Sequence, residues 1–354
     1  MLLGLCLLLL PLAPLAAPLF VAATAPLPHV VAPPSIRSLS AHSCRPCHQI
    51  TFAQWQGSRH AAAATNSLFR SSFRQEPLDW CKHCHAPLPE QEAALHQVRD
   101  IQPGSSGIVA EGVTCVVCHV RDGVILSARP GSRAGQRAHP MRHEPELAAA
   151  SFCGNCHQAN WLSSLTQSGS PEPPMQDTLG EFQRSQLPQR SCQDCHMPGG
   201  SHRWPGGHDI DALRRVLEAR VWIEGREHLQ VVLHARGVGH RLPTGDPFRR
   251  IQLDICTDPD CEQLLLTFSF GRFFLRRDGH EVLVRDTALS APRGAEPSER
   301  RLTHRLNTPP EPKGLFWRLQ YAYAAPSTEP ELQESDRSVE LARGKVASAQ
   351  LTGH

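Results

Sequence analysis

Five pentapeptides of the pattern Cys-x-x-Cys-His are the residues of this chain with the most specific chemistry. They are Cys44, Cys47 and His48; Cys81, Cys84 and His85; Cys115, Cys118 and His119; Cys153, Cys156 and His157; and Cys192, Cys195 and His196. This is the attachment sequence of c-type haem. Two thiols three positions apart lie on one side of a helical turn and reach both vinyl groups of one porphyrin, and the following imidazole binds the iron. The sequence predicts five covalently bound c-type haems.

Other readings of paired cysteines explain the pattern less well. Zinc sites need pairs of Cys-x-x-Cys units, and five is an odd number. Redox-active dithiols are rarely repeated along one chain with a histidine always following. A disulfide framework has no use for that histidine. Haem attachment therefore explains every position of the repeat.

The second axial position of each iron decides between electron transfer and substrate chemistry. Two imidazoles saturate an iron, whereas an open position admits a small molecule. The favoured distal ligands from outside the motifs are His60, His139, His143, His202 and His208. His42 and His83 are weaker candidates, His96 is evenly balanced between ligand and surface residue, and Met141, Met175 and Met197 are the thioether alternatives. Five bis-histidine haems are thus compatible with the sequence.

The motifs must be held by short elements, because they recur at intervals of 34 to 39 residues. So few residues per porphyrin leave the haems themselves to act as the core. Periodicity predicts helices over Thr51–Arg74, Glu90–Arg99, Glu144–Phe152 and Asp209–Arg220. Stretches rich in Gly, Ser and Pro predict loops over 101–112, 121–140 and 163–190. Residues 41–218 form the predicted pentahaem domain.

Alternating apolar residues indicate strands after residue 219. The fold class is therefore α + β in two domains: a haem-packed, mostly helical or irregular domain, then an all-β, immunoglobulin-like sandwich of about seven strands over 219–354. Glu224-Gly225 and Asp278-Gly279 predict hairpin turns. Cys256 and Cys261 predict a small disulfide loop, with two free thiols as the alternative. His240 is expected to cap a Gly-rich turn rather than face a haem.

The amino terminus has the character of an export signal. No charged side chain precedes Arg37, and Met1–Leu10 is almost purely apolar. Residues 1–25 read as a signal peptide, with an uncleaved N-terminal membrane anchor as the alternative, and 26–40 as a linker. The formal net charge is +2 and no basic block occurs, which argues against nucleic acid as a partner. A periplasmic or otherwise extracytoplasmic location is expected.

Three segments resemble the multihaem cytochrome c family related to cytochrome c-554. They are Trp55-x-x-Ser58-x-His60-Ala61, the last motif with Met197-Pro198, and His202-x-Trp204-x-Gly206-Gly207-His208. The segment Gly239–Arg249 resembles a loop in the β-domain that some relatives have. The resemblance implies stacked and T-shaped haem pairs with mostly bis-histidine irons. Two enzyme signatures of related families are missing, since all five motifs end in His and both tyrosines, Tyr321 and Tyr323, follow residue 219.

These observations predict a carrier that passes electrons through closely packed haems. The expected partners are redox proteins, either other cytochromes or a membrane quinone-linked complex. One alternative is a reductase or oxidoreductase that acts on a small nitrogen or sulfur compound at one open haem. Another is a structural subunit whose β-domain holds a larger redox complex.

Overall fold

The computed structural model describes residues 30–91, 107–161, 173–185, 187, 189–277, 280–289, 298–309, 314–324 and 334–348. The predicted leader, most of the predicted helix Glu90–Arg99, His96 and the predicted turn Asp278-Gly279 lie outside these residues. Within them, no helix has both the length and the apolar character that a membrane crossing requires.

Short helices dominate the part of the chain that contains the motifs. They are α1 (Gln49–Gln56), α2 (Ser67–Gln75), α3 (Asp79–His85), α4 (Cys115–His119), α5 (Arg133–Ala138), α6 (Ala150–His157), α7 (Thr178–Gln183), α8 (Cys192–His196) and α9 (Ile210–Val216). Motifs two to five end the helices α3, α4, α6 and α8, and the first motif directly precedes α1. Every attachment histidine therefore lies at a helix end.

Several predicted boundaries in this part were wrong. The expected helix Thr51–Arg74 is two helices, because α1 ends at Gly57 and Asn66 starts α2 by accepting a hydrogen bond from the Phe69 amide. The expected helix Glu144–Phe152 is a 3-10 turn followed by α6. The helix expected over Asp209–Arg220 ends at Val216, where the chain continues as a strand.

The expected loops also contain regular structure. Between 121 and 140 lie α5 and most of a small three-stranded sheet, formed by β1 (Val120–Arg121), β2 (Val124–Ser127) and β3 (Met141–His143). Between 163 and 190, the described residues include α7 and β5 (Gln176–Asp177), which pairs with β4 (Gln158–Ala159). Gly and Pro content alone did not reveal these short elements.

Two four-stranded sheets form the carboxy-terminal part. The strands are β6 (Leu217–Glu224), β7 (His228–Ala235), β8 (Arg250–Cys256), β9 (Leu264–Phe270), β10 (Arg272–Arg277), β11 (His280–Asp286), β12 (Ser298–Arg305), β13 (Phe316–Ala322), β14 (Ser338–Lys345) and β15 (Ala347–Ser348), with a short helix α10 (Glu334–Arg337) before β14. The sheet orders are β12-β7-β6-β15 and β14-β13-β8-β9, and β10 and β11 pair separately. Except for the parallel β15–β6 contact, these pairs are antiparallel.

Local chemistry explains the hairpins of this part. The predicted Glu224-Gly225 turn joins β6 to β7, and Gly225 adopts the positive φ of 68° that such turns require. The Cys256–Cys261 disulfide is confirmed and closes the link from β8 to β9. Alternating residues of both sheets, such as Leu229, Leu253 and Leu319, are fully buried between the layers.

The apolar core is distributed unevenly along the chain. One large cluster of buried residues joins both four-stranded sheets and includes Leu213 and Leu217 at the junction with α9. Among the described residues of the motif-containing part, the buried apolar side chains form only small clusters, one of them around Val116 and Val117. These clusters are smaller than the side-chain core that a domain normally needs. This distribution fits porphyrins as the missing interior.

Candidate haem-binding sites

Thiols of different motifs lie side by side. The Cys44 thiol is hydrogen-bonded to that of Cys115, which links the first motif to the third. The same contact links the second motif to the fourth through Cys84 and Cys156. Cys153 and Cys192 link the fourth motif to the fifth. These contacts place the attachment points in two groups, the first with the third motif and the second, fourth and fifth motifs together.

Three pairs of imidazoles face each other at one characteristic spacing. Their ring centres lie 6.2 Å apart for His60 and His157, 6.2 Å for His119 and His202, and 6.1 Å for His196 and His240. An iron bonded to two imidazole nitrogens at about 2 Å each separates the ring centres by about 6 Å, because each centre lies about 1 Å behind its nitrogen. Each pair joins a motif histidine to one from elsewhere in the chain.

Backbone carbonyls fix the orientation of most of these rings. The Nδ1 atom of His119 bonds the Leu126 carbonyl at 3.0 Å, and that of His196 bonds the Pro205 carbonyl at 2.6 Å. His202 and His240 use Nδ1 in the same way, toward the carbonyls of Gly200 and Arg241. A Nδ1–H donated to a carbonyl leaves Nε2 free for a metal. The rings are thus preset in the form that binds iron.

Burial also keeps several of these imidazoles neutral. Burial is the main cause and neighbouring histidines add to it, and together they lower the pKa of His60 to about 4 and that of His157 to about 3. Burial likewise lowers the pKa of His240 to about 4, against the opposing hydrogen bond to Arg241. A metal ligand must be the neutral imidazole, so these side chains are ready to bind at neutral pH.

His60 is positioned by the segment that precedes the third motif. The Val113 amide donates to the His60 carbonyl at 2.9 Å, and the Trp55 indole donates to the Val113 carbonyl at 2.7 Å. Gly112, with φ 56°, passes so close that a Cβ there would lie 2.5 Å from the His60 carbonyl oxygen. Only glycine permits this approach. Trp204 then packs edge-on against the His60 ring at 4.5 Å.

His240 comes from the loop between β7 and β8, which is anchored to the motif-containing part. Glu181 on α7 accepts hydrogen bonds from the Arg241 amide at 3.2 Å and from the Thr244 hydroxyl at 2.5 Å. Arg241 also forms an ion pair with Asp286. These contacts bring His240 against the fifth motif, although the sequence favoured a simple turn at this position.

The other predicted distal ligands face no motif histidine at the paired spacing in the described residues. The buried Nδ1 of His139 has no hydrogen-bond partner, and Nε2 of His143 contacts the Ala128 carbonyl at 3.2 Å. His208 stacks on Tyr323, with ring centres 4.1 Å apart. His42 contacts the Phe52 ring at 5.0 Å, and His83 stays between the thiols of the second motif. The first and second motifs thus lack a paired imidazole in this part of the chain.

A polar group from the β-rich part lies near the second motif instead. Desolvation raises the pKa of Asp246, and nearby Arg249 and His85 oppose the rise. The Asp246 side chain is nonetheless exposed to solvent. The Arg249 guanidinium is hydrogen-bonded to the buried Tyr321 hydroxyl. Phe69 stacks on His85 at 4.1 Å.

The sequence allowed His240 either to face a haem or to cap a Gly-rich turn, and it favoured the turn. One signal was available: His240 lies in Gly239-His240-Arg241-Leu242-Pro243, a constrained loop rather than a regular strand. A histidine fixed in such a loop deserves consideration as a ligand even when it follows the last motif.

The attachment motifs, facing imidazoles and small apolar clusters together define the architecture of a multihaem c-type cytochrome. The chain is similar in structure to a penta-haem cytochrome c552 from Thermochromatium tepidum, with a TM-score of 0.64 and 21% sequence identity over 86% of this chain and 97% of that one. At this identity the likeness shows a common fold, and it confirms the expected resemblance to multihaem c-type cytochromes at that level. No family model and no curated protein matches the chain.

Proposed function

We propose that this chain is an extracytoplasmic pentahaem c-type cytochrome that carries electrons through a row of mostly bis-histidine haems. The observation that supports it best is the set of three imidazole pairs at 6.1 to 6.2 Å, each of which includes one motif histidine. Two imidazole ligands saturate an iron and leave reversible one-electron chemistry as its role. The five attachment motifs set the expected number of haems.

The ligand assignments follow from the same pairs. His60 is the proposed distal ligand at the fourth motif, His202 at the third and His240 at the fifth. His139, His143 and His208 remain candidates for the first and second motifs. The side-by-side thiols support direct neighbours in the order first–third, second–fourth and fourth–fifth. Adjacent attachment points serve a carrier, because each electron then needs only short steps.

The β-rich part fits a supporting role in this proposal. We assign its two sheets to an immunoglobulin-like sandwich, which serves as a clamp because its loop supplies His240 to the fifth motif. The leader-like amino terminus and the haem motifs support a periplasmic or other extracytoplasmic location. Partners are expected among redox proteins, such as other cytochromes or a quinone-linked membrane complex.

A second candidate function applies to the second motif. Asp246, Arg249 and Tyr321 provide a carboxylate, a guanidinium and a phenol near His85, and no imidazole faces His85 among the described residues. Such a group of polar side chains suits a small nitrogen or sulfur compound. If this function holds, cyanide or nitrite should perturb the spectrum of one haem, and turnover should be lost in Arg249→Ala.

The exported protein tests the carrier proposal directly. Its intact mass should exceed that of the mature polypeptide by five haem masses, and a stoichiometry of three or fewer would contradict the assignment. Electron paramagnetic resonance of the oxidised protein should show at least three low-spin bis-histidine haems. The remaining signal measures how many of the first two sites are open, and turnover with a nitrogen or sulfur compound then separates the enzyme from the carrier.

A further inference from the structure

The first motif lies at the surface, whereas the middle motifs are enclosed. The two residues between the cysteines of a motif occupy the side of the turn away from the porphyrin, so their exposure reports how far the motif lies from solvent. Arg45 and Pro46 in the first motif are both exposed. Their counterparts in the third motif, Val116 and Val117, are 1% and 2% exposed. The thiols link the first motif only to the third.

The charged side chains in the segment that contains the first motif are all cationic. Residues 1–75 contain five arginines and no aspartate or glutamate. Arg37 and Arg45 are exposed, and a 3.0 Å hydrogen bond between Ser38 and Ser43 holds their two segments together. In the part of the chain that the structure describes, neither arginine forms an ion pair.

The carboxylate that lies near Cys44 is engaged inside the protein. Glu111 is buried and accepts hydrogen bonds from the Ser40 hydroxyl and the Ala41 amide. The Arg45 guanidinium lies 5.6 Å from the centre of the Phe52 ring, which holds it over α1. Ile50, 77% exposed, adds an apolar contact beside the cations. We define Arg37, Arg45, Pro46 and Ile50 as the first-motif surface.

The fifth motif differs from the first in charge. Asp194, between its cysteines, is exposed, and so is Arg190 just before it. Asp194 is engaged in a capping box with Ser191, so it serves the helix α8. The exposed charged side chains of the first motif are therefore cationic, whereas those at the fifth motif are mixed.

We infer that the first-motif surface is the docking site of an acidic redox protein, which exchanges electrons with the first haem. The inference rests on the proposed carrier function. A cationic rim with an apolar contact at its centre attracts a partner with a negative surface, and such charges act mainly on the association rate. The Arg45 side chain suits this role, because it is already held over Phe52 and therefore loses little freedom on binding.

Reduction by flavodoxin, an acidic redox protein, tests the inference in stopped-flow experiments on the full holoprotein. The variant is Arg37→Glu with Arg45→Glu, and the matched control is Arg220→Glu with Arg226→Glu on the exposed surface of the β-rich part. At low ionic strength we expect the first variant to lose about tenfold or more in association rate, and the control to stay within about twofold. The wild-type rate should fall as salt rises. Equal losses in both variants, or none in the first, would overturn the inference.

Three further measurements separate the effect on docking from effects on folding and from the carrier proposal. Photogenerated deazaflavin semiquinone, an uncharged reductant, should reduce all three proteins at the same rate, and failure to reduce the wild type would contradict the carrier function itself. Arg37→Glu alone lies outside the attachment motif and should retain at least a threefold loss with flavodoxin. Binding of the wild type to anionic lipid vesicles but not to flavodoxin would assign the surface to a membrane and reject a protein partner.

Discussion

Replacement of His240 by alanine tests the link between the two parts of the chain. The ring centres of His196 and His240 lie 6.1 Å apart and their planes differ by 14°, which leaves room for one iron bonded to both. Loss of one strong imidazole ligand converts an iron from low-spin to high-spin. Because the chain has five attachment motifs, one haem equivalent, about one-fifth of the total iron, should change its signal.

Electron paramagnetic resonance and the visible spectrum of the oxidised protein measure this change. Exogenous imidazole should enter the vacated space and restore the low-spin signal, which a misfolded protein would not do. His240→Met keeps a ligand and should remain low-spin with a more positive reduction potential. His304→Ala, at an exposed histidine of β12, is the control and should change nothing. An unaltered spectrum in His240→Ala would refute the assignment of this residue.

The other predictions concern ligands and stability. His60→Ala and His202→Ala should each release one further haem equivalent to high-spin, whereas His83→Ala should leave the spin state unchanged by the same measurement. Glu111→Ala removes the acceptor of two hydrogen bonds next to the first motif, and should lower the free energy of unfolding by about 2 kcal/mol in denaturant titrations. Loss of the Cys256–Cys261 disulfide, which closes a small loop, should cost about 2 kcal/mol in the same titration without altering the haem mass. A change in haem stoichiometry would contradict the separation of this disulfide from the attachment cysteines.

Local features of the site were readable from the sequence, and distant pairings were not. A Cys-x-x-Cys-His unit acts within one helical turn, so its role needs no knowledge of the fold. The choice of His60 and His202 as distal ligands agrees with the facing rings, but their partners lie in motifs far along the chain. Such contacts depend on how the segments pack, which no local pattern encodes.

In the fold, too, local patterns were predictable from the sequence and contacts between distant segments were not. Strand alternation predicted β6, β7, β8 and β13 well, since one face of each strand is buried against the other sheet. The helix expected over Thr51–Arg74 was wrong because its apolar spacing continued across Gly57, while a local cap at Asn66 started a separate helix. At His240 the sequence favoured a turn over a haem contact, because the Gly-rich segment is a local signal whereas the approach to His196 depends on the fold.

The position of His240 has a consequence for biogenesis. A ribosome makes the chain from the amino terminus, so all five attachment motifs are complete before the β-rich part has been synthesised. With His240 as the proposed ligand, coordination at the fifth motif is completed only when β7 and β8 have folded and their loop has docked on Glu181. Under this proposal, a prematurely truncated or misfolded product would leave an iron exposed to oxygen and peroxide. Complete coordination would then report that synthesis and folding have reached the β-rich part.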